Sequence, residues 1–326
     1  MRIRLSGSRV ASVLVVLGIA FLAISAFASD DKKERDIFDY EAQKAAKDVK
    51  KIVFVADTAP HGGRGNHEFL AAAIYLARTI NANYPGAYAV VYTKDKWPKD
   101  LKHADAVIVL LNHGGSAVND AVKEATARGA GFMAIHYGVE VNKGDQGENY
   151  LKWLGGYFEP YWSVNPWWTP EFKELPKHEV TRGVKPFTIN DEWYYHMRFV
   201  QGMKGVTPIL SAVAPAKTVT ERWKEGQKPD SHAGNADVLK EVQEGKPQVM
   251  AWAYERPDGG RGFGFTGLHK HSNLADDNFR TLLLNAVAWV AKLEVPEKGV
   301  PSKTPTRDEL EALIDEGKLA IKKRGI

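Results

Sequence analysis

Four short apolar runs set the frame for this chain: residues 51–57 (KIVFVAD), 88–93 (YAVVYT), 105–111 (DAVIVLL) and 131–137 (GFMAIHY). Each is a continuous apolar stretch without polar alternation, which reads as a strand buried on both faces. Between them lie segments of helical spacing. Residues 67–81 carry Phe69, Ala73, Leu76 and Ile80 on one side, and residues 117–128 form a second helix stopped by Gly129. Strands alternating with helices pair in parallel, with helices on both faces, so the pattern predicts a doubly wound α/β sheet. In such a sheet, ligands gather outside the carboxyl ends of the strands.

The rhythm breaks over residues 155–190, which hold Tyr157, Phe158, Tyr161, Trp162, Trp167 and Trp168 among several prolines. Too aromatic for disorder and too irregular for a helix, this stretch predicts an ordered insertion. Strand-like runs return at 207–213, 248–254 and 262–266, the last two joined as a hairpin by the PDGG turn at 257–260. A strong amphipathic helix is expected over 276–293. The expected organisation is a lead-in at 29–48, an α/β domain at 49–297 and a tail at 298–326 with a short helix.

Residues 1–28 read as a secretory signal peptide: Arg2, Arg4 and Arg9, an apolar run over 10–24, then Ala-Phe-Ala before a cut near Ala28. An uncleaved anchor is the competing reading, but the run is short for a spanning helix. The expected product is periplasmic or extracellular, with no membrane span in the mature chain. Without the three leader arginines, the 44 basic residues become 41 against 40 acidic ones. That balance excludes the basic footprint of a nucleic-acid binder. The chain has no cysteine, so disulfides, thiolate metal sites and cysteine nucleophiles are excluded.

Six of the ten histidines fall at the predicted strand ends: His61 and His67 after the first strand, His113 after the third, His136 at the end of the fourth, His269 and His271 after the last. A single loop histidine is ordinarily structural; the clustering is the signal. In an extended segment residues two apart point the same way, so His269 and His271 are expected to face one pocket. The segment 190–198 (NDEWYYHMR) adds Asp191, Glu192, His196 and Arg198, although a half-buried strand with satisfied polar positions explains it equally well. No G-x-S-x-G elbow, P-loop or H-E-x-x-H is present; Gly260, Gly262 and Gly264 sit in a hairpin rather than before a helix and are not a dinucleotide fingerprint, so no nucleotide cofactor is expected.

The stretches GFMAIHYGVE, GGYFEPYWSVNPWW, HEVTRGVKPFTINDEWYYHMRF and MAWAYERPDGGRGFGFTGLHKH…DDNFRTLLLNAVAW resemble the ThuA-like, or trehalose-utilisation, family over residues 51–295. The resemblance implies a flavodoxin-like, mostly parallel sheet of the class I glutamine amidotransferase kind, here with an aromatic-rich insertion. Amidotransferases carry a nucleophilic cysteine on the turn after the fourth strand; here the turn is Ile135-His136-Tyr137-Gly138. Imidazole cannot replace thiolate as the acyl-forming nucleophile, so glutaminase activity is excluded. The family pattern carries over to His136, Glu192 and His269, with His61, His67 and Glu68 matching its N-terminal segment and His271 an H-x-H variant.

These readings lead to an expectation of an exported enzyme, an isomerase, lyase or hydrolase, acting on a 3-keto disaccharide or glycoside. His136, Glu192 and His269 are the expected catalytic groups and, with His271, the expected ligands of a divalent metal such as zinc. His61, His67, Trp168, Trp193, His196, Arg198 and Arg280 are expected around the sugar. The rival expectation is a non-catalytic carbohydrate-binding or accessory protein that retains the fold.

Overall fold

The computed structural model describes residues 35–228 and 230–324. The leader at 1–28 lies outside them. Seven strands form the central sheet: β1 (Lys50–Ala56), β2 (Ala87–Thr93), β3 (Ala106–Leu110), β4 (Gly131–Ile135), β5 (Val206–Val213), β6 (Pro247–Glu255) and β7 (Arg261–Phe265). Their order is β5-β6-β7-β4-β3-β1-β2. The run from β7 through β4, β3 and β1 to β2 is parallel throughout. β6 turns back antiparallel on β7, and β5 pairs antiparallel with β6. The sheet is the doubly wound, mostly parallel α/β arrangement that the four apolar runs predict.

Why those runs are continuous becomes visible in the packing. Along β1, Ile52, Phe54 and Ala56 enter one core, with helices α2 (Phe69–Asn83) and α6 (Asp277–Val290). Val53 and Val55 enter the other, which holds residues of α3 (Asp120–Ala127) and α4 (Asp145–Leu154). Both faces of the strand are dry, so neither set of positions can be polar. A fully buried Phe54 contributes about 1.5–3 kcal/mol of transfer free energy.

The lead-in helix α1 (Tyr40–Ala45) docks on the sheet: Gln43 Nε2 donates to the carbonyls of Ile52 at 3.0 Å and Tyr88 at 2.7 Å. A short helix, α5 (Ala236–Gln243), precedes β6. The C-terminal helix α7 (Arg307–Arg324) lies against α2, with Leu310, Ile314 and Ala320 buried and an Arg78–Glu316 ion pair at its side. Among the described residues, no helix is long and apolar enough to cross a membrane.

The aromatic insertion is held by three two-residue ladders. Gly156–Tyr157 pairs with Arg198–Phe199, Trp167–Trp168 with Asp191–Glu192, and Glu171–Phe172 with Phe187–Thr188. The middle ladder carries Glu192 to the carboxyl edge of the sheet.

Candidate metal centre

Three loops converge at that edge, and their backbones are unusual. His67, between β1 and α2, has φ +50°; His136, immediately after β4, has φ +53°; Leu268, after β7, has φ +81°. Non-glycine residues in the left-handed region cost on the order of 1–3 kcal/mol and persist only where neighbours over-determine them. Here the neighbours are specific. His67 N–H donates to the His269 carbonyl at 2.8 Å, tying the first loop to the last. The fully buried Asp191 accepts from Leu268 N–H at 2.8 Å, Lys270 N–H at 3.3 Å and Asn273 Nδ2 at 2.9 Å. Its position beside Glu192 fixes the last loop against the insertion.

The side chains gathered by these loops are His67, His136, Glu192 and His269, each offering one ligand atom, all within 4.8 Å of one another. His136 is fully buried, and its Nδ1 sits 2.7 Å from the Thr266 carbonyl. His67 Nδ1 likewise meets the His61 carbonyl. A carbonyl can only accept, so both Nδ1 atoms carry the proton and both Nε2 atoms present lone pairs. Those two Nε2 atoms are 3.1 Å apart. Lone pairs that close repel unless a proton or a metal cation lies between them.

The acid completes the set. Glu192 Oε2 is 2.8 Å from His269 Nδ1 and 3.5 Å from His136 Nε2, while Oε1 accepts from Asn165 Nδ2 at 3.1 Å. Burial pushes its pKa up, but the neighbouring His136 and His269 rings outweigh that and hold the carboxyl well below its usual range. Burial, reinforced by the neighbouring His136 and His269, drives His67 down to about 3, so its ring is neutral at any physiological pH. Tyr194 hydroxyl lies 3.1 Å from His136 Nε2 and 3.4 Å from Glu192 Oε2. Burial, then the nearby acids, raises its pKa far above the ordinary phenol value, keeping the proton on the oxygen.

Around this cluster stands a looser outer ring. The Tyr137 ring has His61 at 6.1 Å, His113 at 6.3 Å and His232 at 6.4 Å between centroids. His113 Nδ1 accepts from Gly115 N–H at 3.1 Å, which leaves its proton on Nε2. His232 Nε2 pairs with the buried Glu140 carboxylate at 2.9 Å. Burial opposes charge on His232, but that hydrogen bond and the Glu140 charge raise its pKa.

Several expected residues sit elsewhere. His271 does not share the pocket with His269: the tight turn His271–Ala275 ends the extended segment, so the two-residue parity fails. Burial lowers His271 to about 4 in a separate place beneath α7. Trp168 is buried, its Nε1 donating to the Trp193 carbonyl at 3.2 Å, and Trp193 is packed among Phe172, Phe265 and Phe279. Trp168 borders a cavity other than the one holding the histidine cluster. His196 and Arg198 stack on Trp162, with the Arg198 guanidinium 3.5 Å over the ring and bidentate to Glu159 at 3.0 and 3.1 Å. Arg280 donates to the Leu274 carbonyl and Ser302 Oγ, each at 2.9 Å, and pairs with Asp277. It ties α6 to the segment before α7.

Two residues outside the expected site set do reach it. Tyr194 is one. Trp167 is the other: 47% exposed, it lies edge-on to His269 at 4.4 Å with Lys270 Nζ 5.0 Å from its ring. Adjacent strand residues face opposite ways, and Trp167 is the cross-strand partner of Glu192. Once Glu192 is placed at the site, that pairing selects Trp167 over Trp168.

Comparison with known proteins agrees with this architecture. Residues 58–290 match the family described as ThuA, trehalose utilisation. A ThuA-like protein of Parabacteroides merdae superposes with a TM-score of 0.50 at 15% identity, covering 80% of this chain and 94% of its own. One from Bacteroides uniformis gives a TM-score of 0.49 at 19% identity, covering 76% and 92%. The PurLQS structure from Thermotoga maritima is more distant, with a TM-score of 0.38 at 14% identity over 75% of this chain and 98% of that one. No curated protein matches. The family match spans well over half the chain and includes all four residues of the cluster, so this chain belongs to the ThuA family.

Proposed function

We propose that His67, His136, Glu192 and His269 hold a divalent cation of the zinc kind, and that the site processes a carbonyl-bearing sugar, a 3-keto disaccharide or glycoside, in an extracytoplasmic space. The observation that carries the reading is the pair of Nε2 lone pairs 3.1 Å apart, each fixed by an Nδ1 proton committed to a backbone carbonyl. Anchoring the outer nitrogen of a ligating imidazole in this way orients its lone pair for metal. A shared proton would satisfy one pair; a cation satisfies three nitrogens and the carboxylate together.

When bound, such a cation supplies Lewis acidity toward a carbonyl oxygen. The chain's own groups supply the rest. A ketone acidifies the neighbouring C–H, so one base and one electrophile suffice for isomerisation or elimination there. His61, exposed and 5.3 Å from His67 between ring centroids, is placed to take that proton, and the Nε2–H of His113 to donate to substrate oxygen. Tyr194 keeps its proton and holds Glu192 and His136 in register. The open face of Trp167 at the mouth suits the apolar face of a pyranose. Export rests on the leader pattern of residues 1–28.

The test is elemental analysis of the purified chain, joined to a screen of oxidised disaccharides and glycosides with and without added divalent ions. A stoichiometric ion, lost in His136→Ala and Glu192→Ala, together with metal-dependent turnover, is the expected outcome. Absence of bound ion after zinc loading would remove the metal reading. Sugar binding at Trp167 without turnover would favour the rival, a non-catalytic carbohydrate-binding protein.

A further inference from the structure

His271 is 97% removed from solvent by its 3% exposure, yet neither ring nitrogen has a hydrogen-bond partner. The Leu310 carbonyl faces the ring but falls outside hydrogen-bond geometry. Buried polar atoms are nearly always satisfied, so a histidine with two orphan nitrogens marks a place where another molecule belongs. The ring borders a cavity of about 510 Å³, separate from the metal cluster, between the loops that precede His67 and follow His269 and the first turns of α7. That volume is in the range of ordinary small-molecule sites.

The chemistry of the walls is asymmetric. Arg307 lines the cavity from the start of α7 and has no hydrogen bond or ion pair among the described residues. The one acid on the wall, Glu311, is already engaged by Arg64 Nε at 2.7 Å. Lys270 also lines it, but its ammonium is committed to Asn190 at 2.7 Å. Leu310 and Ile314 form an apolar floor, and Ser272 adds a hydroxyl. A free guanidinium calls for an anion, best a planar carboxylate that it can grip with two N–H groups. Imidazole nitrogens can donate or accept, so the pair calls for a group that does both, as an alcohol does.

We propose that this cavity is a second binding site, specific for a polyhydroxylated carboxylate of about hexose size, with Arg307 holding the carboxylate and His271 a hydroxyl. The site is wired to the metal cluster by backbone alone: His271 N–H donates to the Gly65 carbonyl at 2.9 Å, two residues from His67, and His271 is two residues from His269. Occupancy therefore braces both ligand-bearing loops at once.

The experiment is calorimetric titration of the full chain with gluconate, using sorbitol and hexanoate as comparators. Gluconate is expected to saturate one site, while sorbitol lacks the anion and hexanoate the hydroxyls, so both bind at least about tenfold more weakly. Arg307→Ala, an exposed position that leaves the fold intact, and His271→Phe should each weaken gluconate by about tenfold or more. His136→Ala should leave gluconate affinity within about twofold, which separates this cavity from chelation at the metal cluster. Failure of gluconate to saturate, equal binding of the two comparators, or loss in His136→Ala with retention in Arg307→Ala would each overturn the proposal.

Discussion

Two knots of histidine, carboxylate and aromatic side chains lie in the same half of this molecule, and they differ in one respect. Around Trp162, His196 Nδ1 meets the Trp162 carbonyl at 2.9 Å and Arg198 closes a bidentate pair with Glu159. Every charge has its counterpart there, while the buried Trp162 Nε1–H is left without a partner. In the cluster of His67, His136, Glu192 and His269, the outer nitrogens are satisfied by the protein while the inner ones face each other. The two knots are built from similar residue types. What separates a brace from a site is whether the charges and imidazole lone pairs are matched within the chain.

The strongest way to break the contrast is to withdraw metal. In the wild type, chelation should lower Tm by several degrees, because an ion that binds only the folded chain stabilises it by mass action. His136→Ala should lose metal affinity by orders of magnitude and show no response to chelator, read by differential scanning calorimetry. An equal chelator response in both proteins would place the ion elsewhere. Next in size is the tryptophan pair. Trp168→Ala should cost about 3–5 kcal/mol of unfolding free energy by denaturant titration. Trp167→Ala should cost no more than about 0.5 kcal/mol and weaken sugar binding instead. Reversal of that order would mean the ladder register is wrong.

The Trp162 knot is expected to respond in stability alone. Glu159→Ala strands the Arg198 charge in a half-buried place and should cost about 2 kcal/mol, with metal content unchanged. Loss of metal in that variant would merge the two knots into one site. The smallest effect concerns His232. Its folded pKa is raised above the ordinary 6.5, so its pairing with Glu140 stabilises fully below that value and fades as pH rises through the folded one. The stability gap between wild type and His232→Gln should therefore be about 1 kcal/mol in mild acid and shrink toward alkaline pH. A gap that widened instead would require His232 to be neutral when paired.

What the sequence made legible follows from which interactions are local. The parallel strands announce themselves because both faces of each are dry, and the strand ends then placed His67, His136 and His269 at one rim. Glu192 was reachable through family resemblance, since nothing in NDEWYYHMR distinguishes a ligand from a satisfied strand. The failures share a cause: each depended on a backbone direction that neighbouring residues do not encode. The turn that begins at His271 takes its ring away from His269. The ladder register decides between Trp167 and Trp168. His196, Arg198 and Arg280 find partners far along the chain, at Glu159, Glu241 and Ser302, that no spacing rule connects to them. His232 arrives from an irregular stretch with no periodic signal at all.

The four cluster residues are remote in the chain: His67 and His136 are 69 positions apart, and Glu192 and His269 are 77 apart. One ion coordinated by all of them would cross-link three long loops in a polypeptide that has no cysteine to do so. Closing long loops in the denatured ensemble removes chain entropy, as a disulfide does. In an oxidising or a reducing compartment alike, such a clasp would hold, and its strength would be set by the supply of metal rather than by redox potential.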